Sequence, residues 1–301
     1  MIDTKESITA KLCSFARAYH SNNSRQKIFD DYLAYDLMGK DEYDEIGQMI
    51  NRDFITNEYG PYKSFQQENI CPRLAEYASI PLSRISFAEQ RLIKFAQEQG
   101  FCQYVICGAG MDTFAFRNDN PNIMVFELDH PDTQNYKLSR ISKLQWNIPS
   151  NVRYVPIDFE TDNMEDTLFQ AGLNPKIPTF FSILGVTYYL TLPVFEETIR
   201  NIAALSVKGN LLVFDYPEEI IAEDYENNER IRRLAEITAS LGEDMKQGFS
   251  YSSLNNALEQ NSFTVERHMT PENIQKTFFD RRVDSYRAFE NVHFITAVFK
   301  G

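Results

Sequence analysis

The chain is short of the residues that staple or metallate a protein. Its 301 residues hold four cysteines, Cys13, Cys71, Cys102 and Cys107, at irregular spacing. That excludes a disulfide framework and suits reduced thiols. Four residues separate Cys102 from Cys107, so neither a zinc knuckle nor a C-x-x-C redox pair is present. The four histidines, His20, His130, His268 and His293, are scattered and form no H-E-x-x-H pattern, so no metal site is expected. No apolar run approaches the length of a membrane span, and "MIDTKESITAKLCSFARAYHSNN" lacks the unbroken apolar core of a signal peptide. A cytoplasmic location with no membrane partner is expected. Positive charge is also scarce: 30 Lys and Arg face 43 Asp and Glu, a net charge of −13. That argues against nucleic acid, whose affinity comes largely from cations on phosphates, and against an anionic membrane surface. The acidic excess reads as a solubilising surface.

What is present is an ordinary globular balance, 43% hydrophobic and 24% charged, without internal repeats or low-complexity segments. The first hundred residues read as helices. Ile28, Phe29, Leu33 and Leu37 recur at helical spacing over 28–38, and Ile85, Ala88, Leu92 and Phe95 do so over 83–100, with Gly100 at the C-cap. The pattern then alternates. Strands are predicted at 103–107, 123–128, 152–156, 178–183 and 210–215, and helices at 131–145, 163–171 and 193–205, with Pro131 and Pro193 at their first positions. A charged helical stretch follows at 218–240. Strands at 263–269 and 293–299 then flank a helix at 271–280. Alternating strands and helices imply an α/β fold with a parallel sheet covered on both faces.

In such sheets ligands bind beyond the carboxyl ends of the strands. The first strand ends in Gly108-Ala109-Gly110, where the backbone can turn tightly and approach a ligand closely. The second ends in "ELDHP"; Glu127 or Asp129 lies about 20 residues past the first glycine, where a carboxylate can accept two hydrogen bonds from a ribose diol. Asp158-Phe159 follows the third strand, an acceptor for an adenine amino group beside an apolar contact for the ring. The fourth leads into "SILGVTYYL". A nicotinamide dinucleotide would need its pyrophosphate cradled beside Asp112, which repels it. S-adenosylmethionine carries no phosphate but has a sulfonium and an ammonium, and these residues favour it over NAD.

"VICGAGMDTFAFR", "VFELDHPDTQNYK", "YVPIDFE" and "FFSILGVTYYLT", preceded by "RAYHS" and "KIFDDYLA", resemble the successive motifs of the leucine carboxyl methyltransferase family over roughly 17–216. The bacterial branch, with its polyketide carboxyl O-methyltransferases of the tetracenomycin type, is the most similar. The resemblance implies a class I methyltransferase (Rossmann-like) fold: a doubly wound seven-stranded sheet, mostly parallel with an antiparallel last strand, under an N-terminal helical cap. One methyltransferase domain over 1–301 is expected, with the cap at 1–99, the cofactor-binding core at 100–216, a helical insertion at 217–250 and the completion of the sheet at 251–301. The resemblance assigns Arg84 to the methionine carboxylate, Gly108, with Ala109 and Gly110, to the cofactor loop, Asp129 to ribose, and Asp158 and Phe159 to adenine. Part of the family has a cofactor-contacting glutamate where this chain has Leu184, a departure that weakens transfer of the protein-phosphatase methylating role.

The implied activity is S-adenosylmethionine-dependent O-methyl transfer, yielding S-adenosylhomocysteine, to a small-molecule acceptor of secondary-metabolite type. A carboxylate is favoured over a phenolic hydroxyl. A carboxylate is already ionised at neutral pH, whereas a phenol benefits from a base. His20 is the candidate base, and Tyr19, His20 and Tyr188 are candidates to face the substrate, with Tyr189 beside them. The alternatives are methylation of a protein's C-terminal carboxyl group and an NAD-dependent oxidoreductase.

Overall fold

The computed structural model describes residues 7–55, 72–159, 161–220 and 222–301. Seven strands form one sheet: β1 (Cys102–Cys107), β2 (Ile123–Asp129), β3 (Val152–Pro156), β4 (Thr179–Ile183), β5 (Leu211–Pro217), β6 (Phe263–Met269) and β7 (Val292–Phe299). Their order is β3-β2-β1-β4-β5-β7-β6. The first five pair in parallel, and β7 runs antiparallel to both of its neighbours. The predicted seven-stranded, mostly parallel sheet with an antiparallel last strand is therefore what the chain forms. The order reverses between β1 and β4, which opens a crevice at their carboxyl ends.

Burial explains the strands. Every residue of β1, β4 and β5 is buried, as central strands covered on both faces require. Side chains alternate between two cores. Tyr104 and Ile106 belong to one, Val105 and Cys107 to the other.

The helices divide accordingly. The N-terminal set is α1 (Ile8–Asn23), α2 (Ala34–Met38), α3 (Lys40–Ile55) and α4 (Pro72–Gln99); α5 (Phe114–Arg117) and α6 (Pro131–Lys143) follow. Then come α7 (Met164–Gln170), α8 (Leu192–Ala204), α9 (Ala222–Asn227), α10 (Glu229–Ser240), α11 (Tyr251–Gln260) and α12 (Pro271–Ile274). α4 is more than a cap. Its Phe95 packs 5.8 Å from Phe180 of β4, and its Phe87 packs 5.4 Å from Phe294 of β7. It covers one face of the sheet, while α7, α8 and α11 cover the other.

Several local readings shift. The helix expected at 28–38 is confined to α2. Before it the chain turns, and the Ala34 N–H donates to the Asp31 carbonyl. α1 starts at Ile8 because the Ser7 side chain accepts the Ala10 N–H. The stretch at 218–240 is two helices. Asn228 interrupts it and caps α10 by accepting the Ile231 N–H. α11, absent from the sequence reading, is capped by Ser250 and buries Leu254, Ala257 and Leu258. The expected helix at 271–280 is one α-turn followed by a π-turn over Gln275–Phe279. Pro193 is the second residue of α8, still within its first turn. Among the described residues no helix is long and apolar enough to cross a membrane, and no group of three or more His, Cys, Asp and Glu side chains could hold a metal ion.

Candidate functional site

The crevice at the strand ends opens into a cavity of about 350 Å³. Arg84, Gly108, Ala109, Gly110, Asp129 and Tyr188 line it, together with Asp112 and Leu184. Most of the rest of the wall comes from α1, from α4 and from α10 with the segment after it.

The β1–β2 side is built from backbone. The Gly108 and Ala109 N–H groups donate to the Leu128 carbonyl at 2.9 and 3.0 Å, which ties the loop to the end of β2. Gly108 has φ +77°, and a Cβ there would lie 2.5 Å from Val186 Cγ2. Only glycine meets both conditions. Asp129 Oδ2 accepts the Gly110 N–H at 2.5 Å, and Oδ1 accepts the His130 N–H at 2.7 Å. Burial raises the Asp129 pKa above the ordinary carboxylate value, and the two N–H groups oppose that rise. Asp112 is also committed locally, since Oδ1 accepts the Phe114 N–H at 2.6 Å and so opens α5.

The β4–β5 side is built around a buried charge. Asp215 of β5 is fully buried. Its carboxylate accepts from the Gly185 N–H at 2.7 Å, the Tyr188 hydroxyl at 2.8 Å and Arg84 Nη1 at 3.1 Å. Burial alone would lower the Arg84 pKa; the Asp215 carboxylate, together with Cys13 and Tyr188, more than offsets it and raises it. The guanidinium lies flat over Gly185, where a Cβ would sit 2.3 Å from Nη2. Asp215 escaped the sequence reading although it ends a predicted strand. The strand-end rule that picked out Asp129 applies to it equally.

A third group of charges fastens the helices to the loop. Arg17 Nη2 donates to the Met111 carbonyl at 2.6 Å, and Nε pairs with Asp31 at 2.8 Å. Asp31 also accepts from Thr113 at 2.5 Å. Arg117 grips Glu89 of α4 through both Nη atoms, at 3.0 and 2.5 Å. Burial still pushes the Glu89 carboxyl up to about 7. From the far side, Glu243 accepts the Ile8 N–H at 2.8 Å and the Thr9 N–H and hydroxyl. The Lys246 N–H donates to the Tyr188 carbonyl at 2.8 Å. The sequence carried no signal for Glu243, because its partners lie more than 230 residues away.

Other predicted residues lie elsewhere. Glu127, the alternative ribose acid, is buried in an ion pair with Lys137, and burial pushes its carboxyl up to about 7. Asp158 and Phe159 follow β3 outside the cavity lining; Phe159 is 43% exposed, and the Asp158 N–H donates to Asp162. His20 is not on the wall. It is fully buried, Nε2 accepts the Ile28 N–H at 2.8 Å, and Nδ1 lies 2.9 Å from Ser24 Oγ. With both ring nitrogens committed and its pKa pushed down to about 4 by burial, assisted by Arg282 and Lys27, it holds a turn rather than taking a proton. Tyr19 packs against the helical core, stacked on Phe15, and does not line the cavity. The Tyr188 hydroxyl is spent on Asp215, so this residue offers the cavity an aromatic wall.

Together, the doubly wound sheet, the glycine loop at its switch point and the carboxylate after β2 define the class I methyltransferase fold. Solved structures agree on the fold. A DUF574 family protein of Streptomyces avermitilis MA-4680 superposes with a TM-score of 0.60 at 13% identity, covering 99% of this chain and 100% of that one. A protein of Thermobifida fusca YX named as a methyltransferase gives 0.55 at 14%, covering 100% and 97%. The chain belongs to the leucine carboxyl methyltransferase family, whose model matches residues 10–203. Among curated relatives, YktD of Bacillus subtilis (strain 168), named as an S-adenosyl-L-methionine-dependent methyltransferase, is 34% identical over the whole of both chains. A Mycolicibacterium smegmatis protein named likewise is 27% identical over 72% of this chain and 69% of its own.

Proposed function

We propose that this chain is an S-adenosylmethionine-dependent O-methyltransferase acting on a small molecule. One observation carries the cofactor part of the reading. The cavity at the switch point pairs a backbone-only loop, Gly108–Gly110, with carboxylates at Asp112 and Asp129. That chemistry rejects a pyrophosphate and favours a cationic ligand. When bound, S-adenosylmethionine supplies an electrophilic methyl on a sulfonium; its transfer to oxygen forms a C–O bond, breaks the C–S bond and leaves the electron pair on sulfur. The residues then have separable tasks. Arg84, held by Asp215 through Nη1, keeps other N–H donors for the methionine carboxylate. Asp129 holds the ribose diol with its remaining lone pairs. Exposed Phe159, with Asp158, receives the adenine beyond the cavity proper. Tyr188 and Tyr189 wall the reacting centre and exclude water.

The family's description favours a second reading, methylation of a protein's C-terminal carboxyl group. Calorimetric titration with S-adenosylhomocysteine tests the cofactor; absence of binding sinks both readings. Incubation with labelled cofactor and cell extract separates them. Label in the metabolite fraction supports the first, and label in protein supports the second.

A further inference from the structure

The cavity wall constrains the acceptor. Among the described lining residues the cations are Arg17 and Arg84, and each is already neutralised from behind, by Asp31 and by Asp215. Both partners are fully buried, so neither pair opens without stranding a charge. Arg84 also carries the cofactor carboxylate in the reading above. Three of the wall hydroxyls are spent inside the protein as well. Thr9 donates to Glu243, Tyr188 to Asp215, and Thr238 to the Leu234 carbonyl at 3.1 Å. What remains on the helical side is apolar, chiefly Leu12, Ile80, Leu234, Ile237 and Met245, with the Glu243 carboxylate among them. Among the described lining residues a carboxylate entering here meets no cation that lacks a carboxylate partner, and burying an ion under those conditions is costly. A hydroxyl meets an acceptor.

We infer that the methyl acceptor of this site is an uncharged molecule with an apolar body that presents a hydroxyl group, not a carboxylate. The inference rests on the methyltransferase reading and reverses the preference for a carboxylate drawn from sequence. A hydroxyl acceptor releases a proton on methylation, and the carboxylates of the wall, Glu243 foremost, can receive it.

The test is calorimetric. The protein is first titrated with S-adenosylhomocysteine; failure to bind overturns the methyltransferase reading itself. The saturated complex is then titrated at neutral pH with para-hexylphenol and, separately, with para-hexylbenzoate, which share an apolar body and differ in charge. The phenol is expected to bind more tightly by about tenfold or more. Equal or tighter binding of the benzoate, or binding of neither, overturns the inference and leaves the cofactor reading standing. Ile237→Arg combined with Glu243→Gln supplies the wall with a cation that has no wall carboxylate on the helical side to neutralise it. The order should narrow or reverse in that variant, and an unchanged preference for the phenol overturns the charge argument.

Discussion

The two sides of the cavity are assembled by opposite means. At the sheet edge the groups, Arg84 of α4 excepted, are close in sequence or on adjacent strands. Asp129 meets the Gly110 N–H across two paired strands, and Asp215 gathers Gly185 and Tyr188 from the turn after β4. The helical side is tied down by bonds between residues far apart in the chain, with Glu243 on the first residues of α1, 235 positions away, and Arg17 on the Met111 carbonyl, 94 away. The sheet edge is positioned by strands that would exist without it, so its geometry is over-determined. The helical side adds to its apolar packing polar ties between segments far apart in the chain. In the proposed reading cofactor chemistry sits on the sheet edge, and acceptor selection on the helical side, the part most easily re-cut.

The largest break in this comparison is at Arg84. Arg84→Met strands the buried Asp215 carboxylate, and the loss of one partner of such a pair costs about 3–5 kcal/mol. Chemical denaturation should register it, and Arg84→Met/Asp215→Leu should recover part of the loss because no buried charge is left. A single variant as stable as the parent would mean that the pair does not organise the edge.

Acid should act next, through the helical side. His20 has a folded pKa of about 4 against an ordinary 6.5, so the fold holds it neutral. That contribution is whole above pH 6.5 and is lost as the pH falls from 6.5 through about 4, to a limit of about 3 kcal/mol. Glu89 and Glu127 act in the opposite sense. Their carboxyls are raised to about 7, so their contribution is whole below the ordinary carboxyl range and is lost as the pH rises through 7. Subtracting the stability curve of His20→Gln from that of the parent isolates the histidine. A difference flat between pH 4 and 6.5 would contradict its buried, neutral state.

At the cofactor loop the loss should fall on binding. Gly108→Val puts a Cβ 2.5 Å from Val186 Cγ2 at a φ of +77°. Strain of about 2–3 kcal/mol there weakens S-adenosylhomocysteine binding by about a hundredfold. Asp129→Asn keeps the shape but turns one acceptor oxygen into an amide, and about tenfold is expected by the same calorimetry. If Asp129→Asn outweighs Gly108→Val, the carboxylate and not the backbone is the main determinant on this side.

The same contrast governs what could be read in the sequence. The seven strands, their mostly parallel order and the glycine loop were legible because periodicity and glycine punctuation are local signals. Strand ends and an ordered motif set point to Arg84, Gly108 and Asp129, which all line the cavity. Asp215 was equally legible, since "VFDYP" ends a strand, and it was passed over because it touches no ligand class directly. His20 misled for a physical reason. A histidine near a helix end looks like a base until the Ile28 N–H is seen on Nε2. α11 was equally legible, since Tyr251, Leu254, Ala257 and Leu258 lie at helical spacing behind the Ser250 cap. Glu243 and the Arg17–Asp31 pair had no local signature, because long-range pairing decides them.

The smallest effect is the one that isolates the helical side. Glu243 is half-buried and takes two N–H groups at the start of α1, where a carboxylate is favoured by the unpaired N–H groups and the helix dipole. Glu243→Gln keeps an acceptor oxygen and loses the charge, so stability should fall by only about 0.5–1 kcal/mol. Binding of S-adenosylhomocysteine should stay within about threefold, because the loop and Asp129 are untouched. Binding of an apolar hydroxyl probe to the complex should weaken more than that, since the wall loses its strongest acceptor on the helical side. If cofactor affinity falls as far as probe affinity, the two sides act as one unit, and the division between a rigid edge and a re-cuttable helical side fails.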